Sequence, residues 1–143
     1  MNTEKRLQIV TFTQAQRLKA AGFDWECELL WNLDDGESRS PSHRGESYNW
    51  NTLGPSSRPW FASAPTVAGA LKWARDVRFL DGHVEVNGAR EYGWNYVLSY
   101  FERPRTYGSY KSHEEAESAL LDAVLDQIEK EEGVWDESAA VPD

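Results

Sequence analysis

The sequence predicts an α+β fold, an antiparallel sheet of about four to five strands with two to three helices packed on it. Three observations support this prediction: strand-like segments rich in β-branched and aromatic residues, turn signals between them, and three helix-start signals. A length of 143 residues favours one domain. We therefore expect a single α+β domain over residues 1–130 and an acidic tail over residues 131–143.

The first predicted helix has both of its ends marked in the sequence. Thr13 and Gln16 match a capping box, in which Thr13 is the N-cap. The helix is expected to run to about Ala21. Gly22 supplies the left-handed residue after its end, and Phe23 supplies the hydrophobic contact that accompanies such an end.

Strands are predicted on both sides of this helix. Leu7–Phe12 alternates loosely, which indicates a short strand or an extended entry, and Trp25–Leu33 is strand-like. Asp35-Gly36 is a hairpin turn signal. The polar segment Ser38–Ser47 is predicted to be a loop, and Tyr48–Leu53 is the candidate for the returning strand.

A second helix is predicted between residues 63 and 78. The segment Ser63–Thr66 is a helix start with a proline in the first turn. Apolar residues then follow at helical spacing, flanked by Trp73. They are Val67, Ala70, Leu71, Ala74 and Val77.

Two more strands and a hairpin are predicted after this helix. His83–Asn87 alternates, and Asn87-Gly88 is a strong hairpin signal. Gly93–Glu102 carries large apolar residues on both faces, which is typical of a central strand. Arg103–Lys111 is predicted to be a loop, or a loop with a short strand at its end.

The last predicted helix starts at Ser112, which forms a second capping box with Glu115. It is expected to continue to about Lys130 and to bury one apolar row. That row consists of Ala116, Leu120, Val124 and Ile128, with Leu121 and Leu125 beside it.

The negative charge of the chain is concentrated in this helix and the tail. The formal net charge is −9, and residues 114–143 hold eleven of the 24 acidic residues but only one of the 15 basic residues. Glu129 and Glu131 crowd the C-terminal end of the helix, where the macrodipole disfavours each anion by about 0.3–1 kcal/mol. Either the helix frays there, or a cationic partner offsets the charge. That partner is the basic segment Arg103–Lys111, a second copy, or another protein.

The sequence lacks the common motifs of catalytic sites and of nucleotide-binding sites. The phosphate loop, the dinucleotide fingerprint and the nucleophile elbow are all absent. The segment His113–Glu117 lacks the second histidine of a zinc helix, so no metal and no cofactor are predicted. Cys27 alternates with acids on a predicted strand, which favours an inert buried thiol. A cysteine–histidine pair assembled in space stays open.

Two aromatic and basic segments are the candidate binding surfaces. The first is a segment without acids that holds Arg103, Arg105, Tyr107, Tyr110 and Lys111. Guanidinium forks and aromatic faces suit phosphates, nucleotides or an acidic peptide. The alternative is a solvated loop whose tyrosine rings pack on the body of the protein.

The second candidate surface contains Trp50 and Trp60, two of the seven tryptophans. Both lie in or beside turn-rich segments, where tryptophan lines concave sites. The alternative is that these rings cap one face of the sheet.

The order of the helix caps, apolar rows and strand residues along this chain resembles that of a known protein family. The matching residues are Phe12–Ala15, Leu18, Lys19, Gly22–Asp24, Ala64–Thr66, Ala70, Lys72, Trp73, Arg75, Gly93, Trp94, Tyr96, Ser112–Ala116, Ala119–Leu121 and Leu125. With them the chain resembles a family of small proteins, common in Bacteroidota genomes, their phages and mobile elements, that has no known activity. The resemblance spans about residues 9 to 128 and departs at Ser38–Ser47 and in the acidic tail. It implies a shared fold and a mobile-element setting, and it transfers no catalytic residue.

Three functional hypotheses follow from these observations. The first is a non-enzymatic accessory protein that binds another protein or a second copy of itself. The second is a protein that binds a small ligand or nucleotide through the basic segment and the two tryptophans. The third is an enzyme whose site assembles in space, which a deep pocket lined by histidines and carboxylates would favour.

The composition also limits which partners and which cellular compartment we expect. Duplex nucleic acid is disfavoured, because the acidic end would repel phosphates. No apolar run approaches the roughly 18–20 residues of a membrane span, and no secretory signal is visible. With a single cysteine, these features favour the cytoplasm.

Overall fold

The computed structural model describes residues 8–39, 49–51, 61–86, 93–100 and 103–132. Within these ranges the chain forms three helices and two three-stranded antiparallel sheets. The elements are α1 (Phe12–Ala20), β1 (Leu30–Asn32), β2 (Glu37–Arg39), β3 (Phe61–Ser63), α2 (Val67–Arg78), β4 (Asp81–Val86), β5 (Trp94–Tyr100), β6 (Arg103–Tyr110) and α3 (His113–Glu131). The predicted α+β class is confirmed.

The prediction of one sheet with four to five strands is wrong. β1 pairs with β2 on one side and β3 on the other, and β5 lies between β4 and β6. The helix α2 connects the two sheets, because β3 leads into it and β4 follows it. β4 pairs with β5, the next strand along the chain, and not with β3. Strands that follow one another in the sequence commonly pair in this way.

The first helix begins two residues before its predicted start. Its N-cap is Thr11, whose hydroxyl accepts from the Gln14 N–H at 3.1 Å, while Gln14 Oε1 accepts from the Thr11 N–H at 2.9 Å. The sequence offers two overlapping capping boxes, one at each threonine. The structure uses the box whose glutamine also reaches α3, where Gln14 Nε2 donates to Ser118 and Asp122.

The predicted end of α1 is confirmed. Gly22 has a φ of 92°, and the Phe23 N–H donates to the Leu18 carbonyl at 2.9 Å. Both Leu18 and Phe23 are buried, so the helix end carries the hydrophobic contact expected of this motif.

The first sheet forms around the predicted Asp35-Gly36 turn. Gly36 has a φ of 72°, and β1 pairs with β2 in the register Asn32 opposite Glu37. The return strand is therefore β2, and Tyr48–Leu53 is not the partner in this hairpin. Within that segment Trp50 and Asn51 lie in a turn and Asn49 has no regular structure, while the remaining residues lie outside the described ones.

The second helix starts after the N-cap Thr66 and ends at Arg78. Its C-cap is Phe79, which has a left-handed backbone with a φ of 60°. The buried face of α2 differs from the apolar stripe that the sequence predicts. Trp73 belongs to the fully buried core, whereas Val77 is 44% exposed. The large indole fills the space beside Phe23, where the two rings lie edge to face at 5.4 Å.

The second sheet confirms the central position of the strand predicted at Gly93–Glu102. β5 pairs with β4 and with β6. The segment predicted as a loop at Arg103–Lys111 is instead the edge strand β6 over nearly its whole length. The predicted hairpin at Asn87-Gly88 lies outside the described residues.

The helix α3 forms the centre of the core. Its N-cap is Ser112, as predicted, and its apolar row is fully buried. One hydrophobic cluster joins this row to residues of α1, α2 and both sheets. No helix in the described part of the chain is long and apolar enough to cross a membrane.

Candidate functional site

A β-bulge shapes the edge strand β6. Trp94 pairs with Tyr110 and Tyr96 pairs with Tyr107, so two steps on β5 match three steps on β6. Gly108 lies within this extra step with a φ of 84°, the left-handed conformation typical of a glycine bulge. Because of the extra residue, Tyr107 and Tyr110 lie on the same face of the strand, although three positions separate them.

The bulge assembles a stack of three tyrosines. The rings of Tyr107 and Tyr110 stack on Tyr96 of β5 at centroid distances of 5.1 and 6.2 Å. Tyr96 is buried, and Tyr107 is 39% exposed. Burial raises the pKa of Tyr96 to about 12, helped by the two other tyrosines and by Asp126. Tyr96 is therefore uncharged at physiological pH.

Arg105 extends this face along β6. It pairs with Leu98, two positions from the Tyr96–Tyr107 pair, so its backbone position faces the same side. Its side chain is exposed. We call Tyr96, Arg105, Tyr107 and Tyr110 the tyrosine–arginine face. Of the other predicted residues, Arg103 begins β6 opposite Tyr100 and Lys111 follows its end.

The predicted tryptophans do not join this face. Trp50 is buried, its indole N–H donates to the Cys27 carbonyl at 2.8 Å, and its backbone N–H donates to Ser63 Oγ. It therefore packs beside the first sheet, whereas the tyrosine–arginine face belongs to the second. Trp60 lies outside the described residues.

The acids at the end of α3 have cationic partners within the molecule. Arg17 of α1 forms a two-pronged contact with Glu129, at 2.7 and 2.9 Å. Arg78 of α2 contacts Glu132 at 2.6 Å. Glu131 is exposed, and its carboxylate lies 3.5 Å from the Gln127 side-chain nitrogen. Two of the acids at this end are therefore paired with arginines of the same chain. Neither arginine belongs to the basic segment Arg103–Lys111, which is one of the sources expected from the sequence.

The sequence did not predict a cavity beside the first sheet. It measures about 340 Å³ and lies between the segment 25–29, Ile9 and the start of α2. Trp25, Glu26, Cys27 and Glu28 are among its lining residues, and we call it the Trp25 cavity. Burial raises the pKa of the Cys27 thiol, which donates to the Leu29 carbonyl at 3.3 Å. An inert thiol is thereby supported, because the thiolate is the reactive form.

A second, more polar cleft of about 330 Å³ lies between α2, β4 and α3. Its lining includes His83, His113 and Glu117. His83 Nε2 lies 2.9 Å from a Glu85 oxygen, while the His113 ring stands edge-on to Trp94. Among the described residues, no hydrogen bond connects these three lining residues to one another. Nor do any three His, Cys, Asp or Glu side chains of that part of the chain cluster as a metal site.

The comparisons with known proteins gave no match. No family model, no curated protein and no solved structure matches the chain.

Proposed function

We propose that this protein is a non-enzymatic accessory protein of a phage or another mobile element, which acts in the cytoplasm by binding an acidic surface of another protein. The observation that carries the proposal is the tyrosine–arginine face, where the bulge of β6 places two tyrosines and Arg105 side by side. The setting rests on the resemblance of the helix caps and apolar rows to the mobile-element family.

The face has the composition of an interface centre. Tyrosine and arginine are enriched among the residues that contribute most to protein–protein binding. Tyr107 is 39% exposed and already stacked on Tyr96, so little conformational entropy is lost when a partner covers it. This preorganisation favours binding through the exposed ring.

The charge of β6 indicates the chemistry of the partner. The strand and the residue after it contain Arg103, Arg105 and Lys111 and no acid. Arginine presents a planar fork that matches a carboxylate with two parallel hydrogen bonds. An acidic partner surface is therefore favoured over a neutral or basic one.

The partner is expected to contact side chains of β6 rather than to extend the sheet. Pro104 lacks a backbone N–H, and the Gly108 bulge interrupts the regular ladder. Proline, bulges and charged residues on an edge strand are the features by which proteins prevent strand addition.

Site-specific crosslinking tests the proposal. A photoreactive p-benzoylphenylalanine replaces Tyr107 in one variant and the exposed Glu37 of β2 in a control variant, and both are irradiated in the native host. We expect the Tyr107 variant to form an adduct with one protein, identified by mass spectrometry, that presents an acidic surface. An adduct with a second copy of the chain would support self-association through this face.

Charge reversal separates specific from incidental adducts. Arg105→Glu should remove the adduct, whereas Arg75→Glu, an exposed arginine of α2, should leave it unchanged. Adducts that are equally abundant at position 37, or that survive Arg105→Glu, would contradict the proposal.

A further inference from the structure

The two edge strands of the second sheet differ in how well they can accept a further strand. β6 carries Pro104 and the bulge at Gly108, which hinder strand addition. β4, on the other edge, pairs with β5 in an uninterrupted register from Asp81 to Val86 and contains no proline. Among the described residues, no other strand pairs with β4. The edge of β4 thus keeps the regular geometry that an added strand needs.

The outward face of β4 is complementary to a second copy of itself. It carries His83 and Glu85, which are both exposed, and His83 Nε2 lies 2.9 Å from a Glu85 oxygen. When two copies of β4 pair antiparallel about a two-fold axis at Val84, His83 of each copy lies opposite Glu85 of the other. The four side chains then form a square in which each histidine lies between two carboxylates.

Other registers of the same pairing are less favourable. An axis at His83 would place the two histidines opposite each other and Asp81 opposite Glu85 of the other copy. An axis at Glu85 would place the two glutamates opposite each other and would shorten the paired stretch. Like charges directly opposite one another on neighbouring strands are destabilising. The charge pattern of β4 therefore favours the axis at Val84.

The same register places an exposed valine over a cleft. Val86 is 54% exposed, and with the axis at Val84 it lies opposite Gly82 of the second copy. Gly82 lines the cleft of about 330 Å³ between α2, β4 and α3, and Leu71 belongs to the apolar part of its wall. Gly82 and Val86 share the face toward α3, because an added Cβ at Gly82 would meet Leu120 of that helix at 2.7 Å. Each valine can therefore cover apolar surface of the other copy's cleft.

We propose that two copies of this chain pair antiparallel through β4, about a two-fold axis at Val84, so that their second sheets form one continuous sheet. Main-chain hydrogen bonds supply the affinity, and the pairs of His83 with Glu85 set the register. β6 stays at the outer edge of each copy, so the dimer presents the tyrosine–arginine face twice. The pairing is independent of the protein-binding function proposed for that face.

Sedimentation equilibrium of charge variants tests this pairing. The unchanged chain is expected to be a dimer that dissociates on dilution. His83→Glu fills the square with carboxylates, and Glu85→Lys fills it with basic groups. Each variant should raise the dimer dissociation constant about 10- to 100-fold, because two cross-strand attractions become repulsions. Glu37→Lys, on the edge strand β2 of the other sheet, is the matched control and should leave the constant unchanged.

Mixing the two variants separates a loss of pairing from a loss of folding. In a mixed dimer, the carboxylates of the His83→Glu chain lie opposite the basic side chains of the Glu85→Lys chain. An equimolar mixture should therefore restore dimerisation. Each variant alone should keep the far-ultraviolet circular dichroism spectrum of the control.

Five results would overturn the proposal. Three of them are an unchanged chain that stays monomeric up to about 1 mM, a dimer whose dissociation constant neither variant alters, and a mixture that stays monomeric. A dimer that Arg105→Glu dissociates and His83→Glu does not would place self-association at the tyrosine–arginine face instead. A monomeric chain that captures a different protein through p-benzoylphenylalanine at Val86 would identify a foreign strand as the occupant of this edge.

Discussion

Gly108 shows how one residue determines the candidate interface. Its φ of 84° is unfavourable for any residue with a Cβ atom, and a Cβ there would collide with the ring of Tyr110. The same ring stacks on Tyr96. The conformation of Gly108 and the stack of tyrosines therefore depend on each other.

Replacing Gly108 should be more costly than replacing another left-handed glycine. We expect Gly108→Ala to lower the free energy of unfolding by about 2–3 kcal/mol, from backbone strain and displacement of the Tyr110 ring. Gly36→Ala is the control, since Gly36 has a φ of 72° with nothing within 4 Å of the added Cβ. It should cost about 1 kcal/mol. Urea denaturation measures both, and equal losses would show that the ring contact contributes nothing.

At the scale of the element, the buried polar side chain of Gln14 links α1 to α3. Gln14 is 2% exposed, caps its own helix through Oε1 and donates from Nε2 to Ser118 and Asp122 at 3.0–3.1 Å. A helix cap is usually local, but this one is shared with a tertiary contact. That sharing explains why the earlier of the two capping boxes is used.

Exchanging the amide of Gln14 for a carboxylate tests this contact. Gln14→Glu keeps the size and the acceptor toward the Thr11 N–H, but it removes the donor and places an anion beside Asp122. We expect a loss of about 2–4 kcal/mol in the free energy of unfolding. Gln16→Glu, an exposed neighbour on the same helix, should change it by about 0.5 kcal/mol or less. Similar losses in both variants would contradict the role of Gln14.

At the scale of the whole molecule, ion pairs link α3 to the two other helices at the edge of their shared apolar core. Arg17 of α1 contacts Glu129 and Asp126, and Arg78 of α2 contacts Glu132. The hydrogen bond with Glu129 is the largest cause of the raised pKa of Arg17. Glu129 and Glu132, two of the acids that oppose the helix macrodipole, are thus paired with arginines on the neighbouring helices.

Removing the charge of Arg17 should weaken this arrangement. We expect Arg17→Gln to lower the free energy of unfolding by about 1–2 kcal/mol, a moderate value because the contact is partly exposed. The loss should be smaller in about 1 M salt, where the Debye length is near 3 Å. Arg75→Gln is the control, because Arg75 is more exposed and lies 3.6 Å from Asp76. A loss as large in Arg75→Gln would argue against a special role of Arg17.

The success of each prediction from sequence depends on how local its cause is. The cap at Ser112, the left-handed Gly22 and the turn at Gly36 are confirmed because each depends on residues a few positions away. Trp50 shows the opposite case. Its indole bonds to Cys27, 23 positions away, and no local pattern indicates that contact.

In the candidate sites, too, the features with local causes are predicted from the sequence and those with long-range causes are not. The composition of the segment predicts Arg105, Tyr107 and Tyr110 as binding residues, but as parts of a loop or of a loop with a short strand at its end. Their common face depends on the bulge and on Tyr96 of a neighbouring strand. The Trp25 cavity was not predicted, because its walls come from three segments of the chain.

The sequence by itself determined the α+β class, the three helices, the apolar row of α3 and the central position of β5, since periodicity and capping are properties of short segments. Only the tertiary structure decided that the strands form two sheets, that Arg17 and Arg78 pair with Glu129 and Glu132 at the end of α3, and that a bulge aligns the tyrosines. These features depend on contacts between distant residues, whose formation is set by the packing of the whole chain rather than by neighbouring residues.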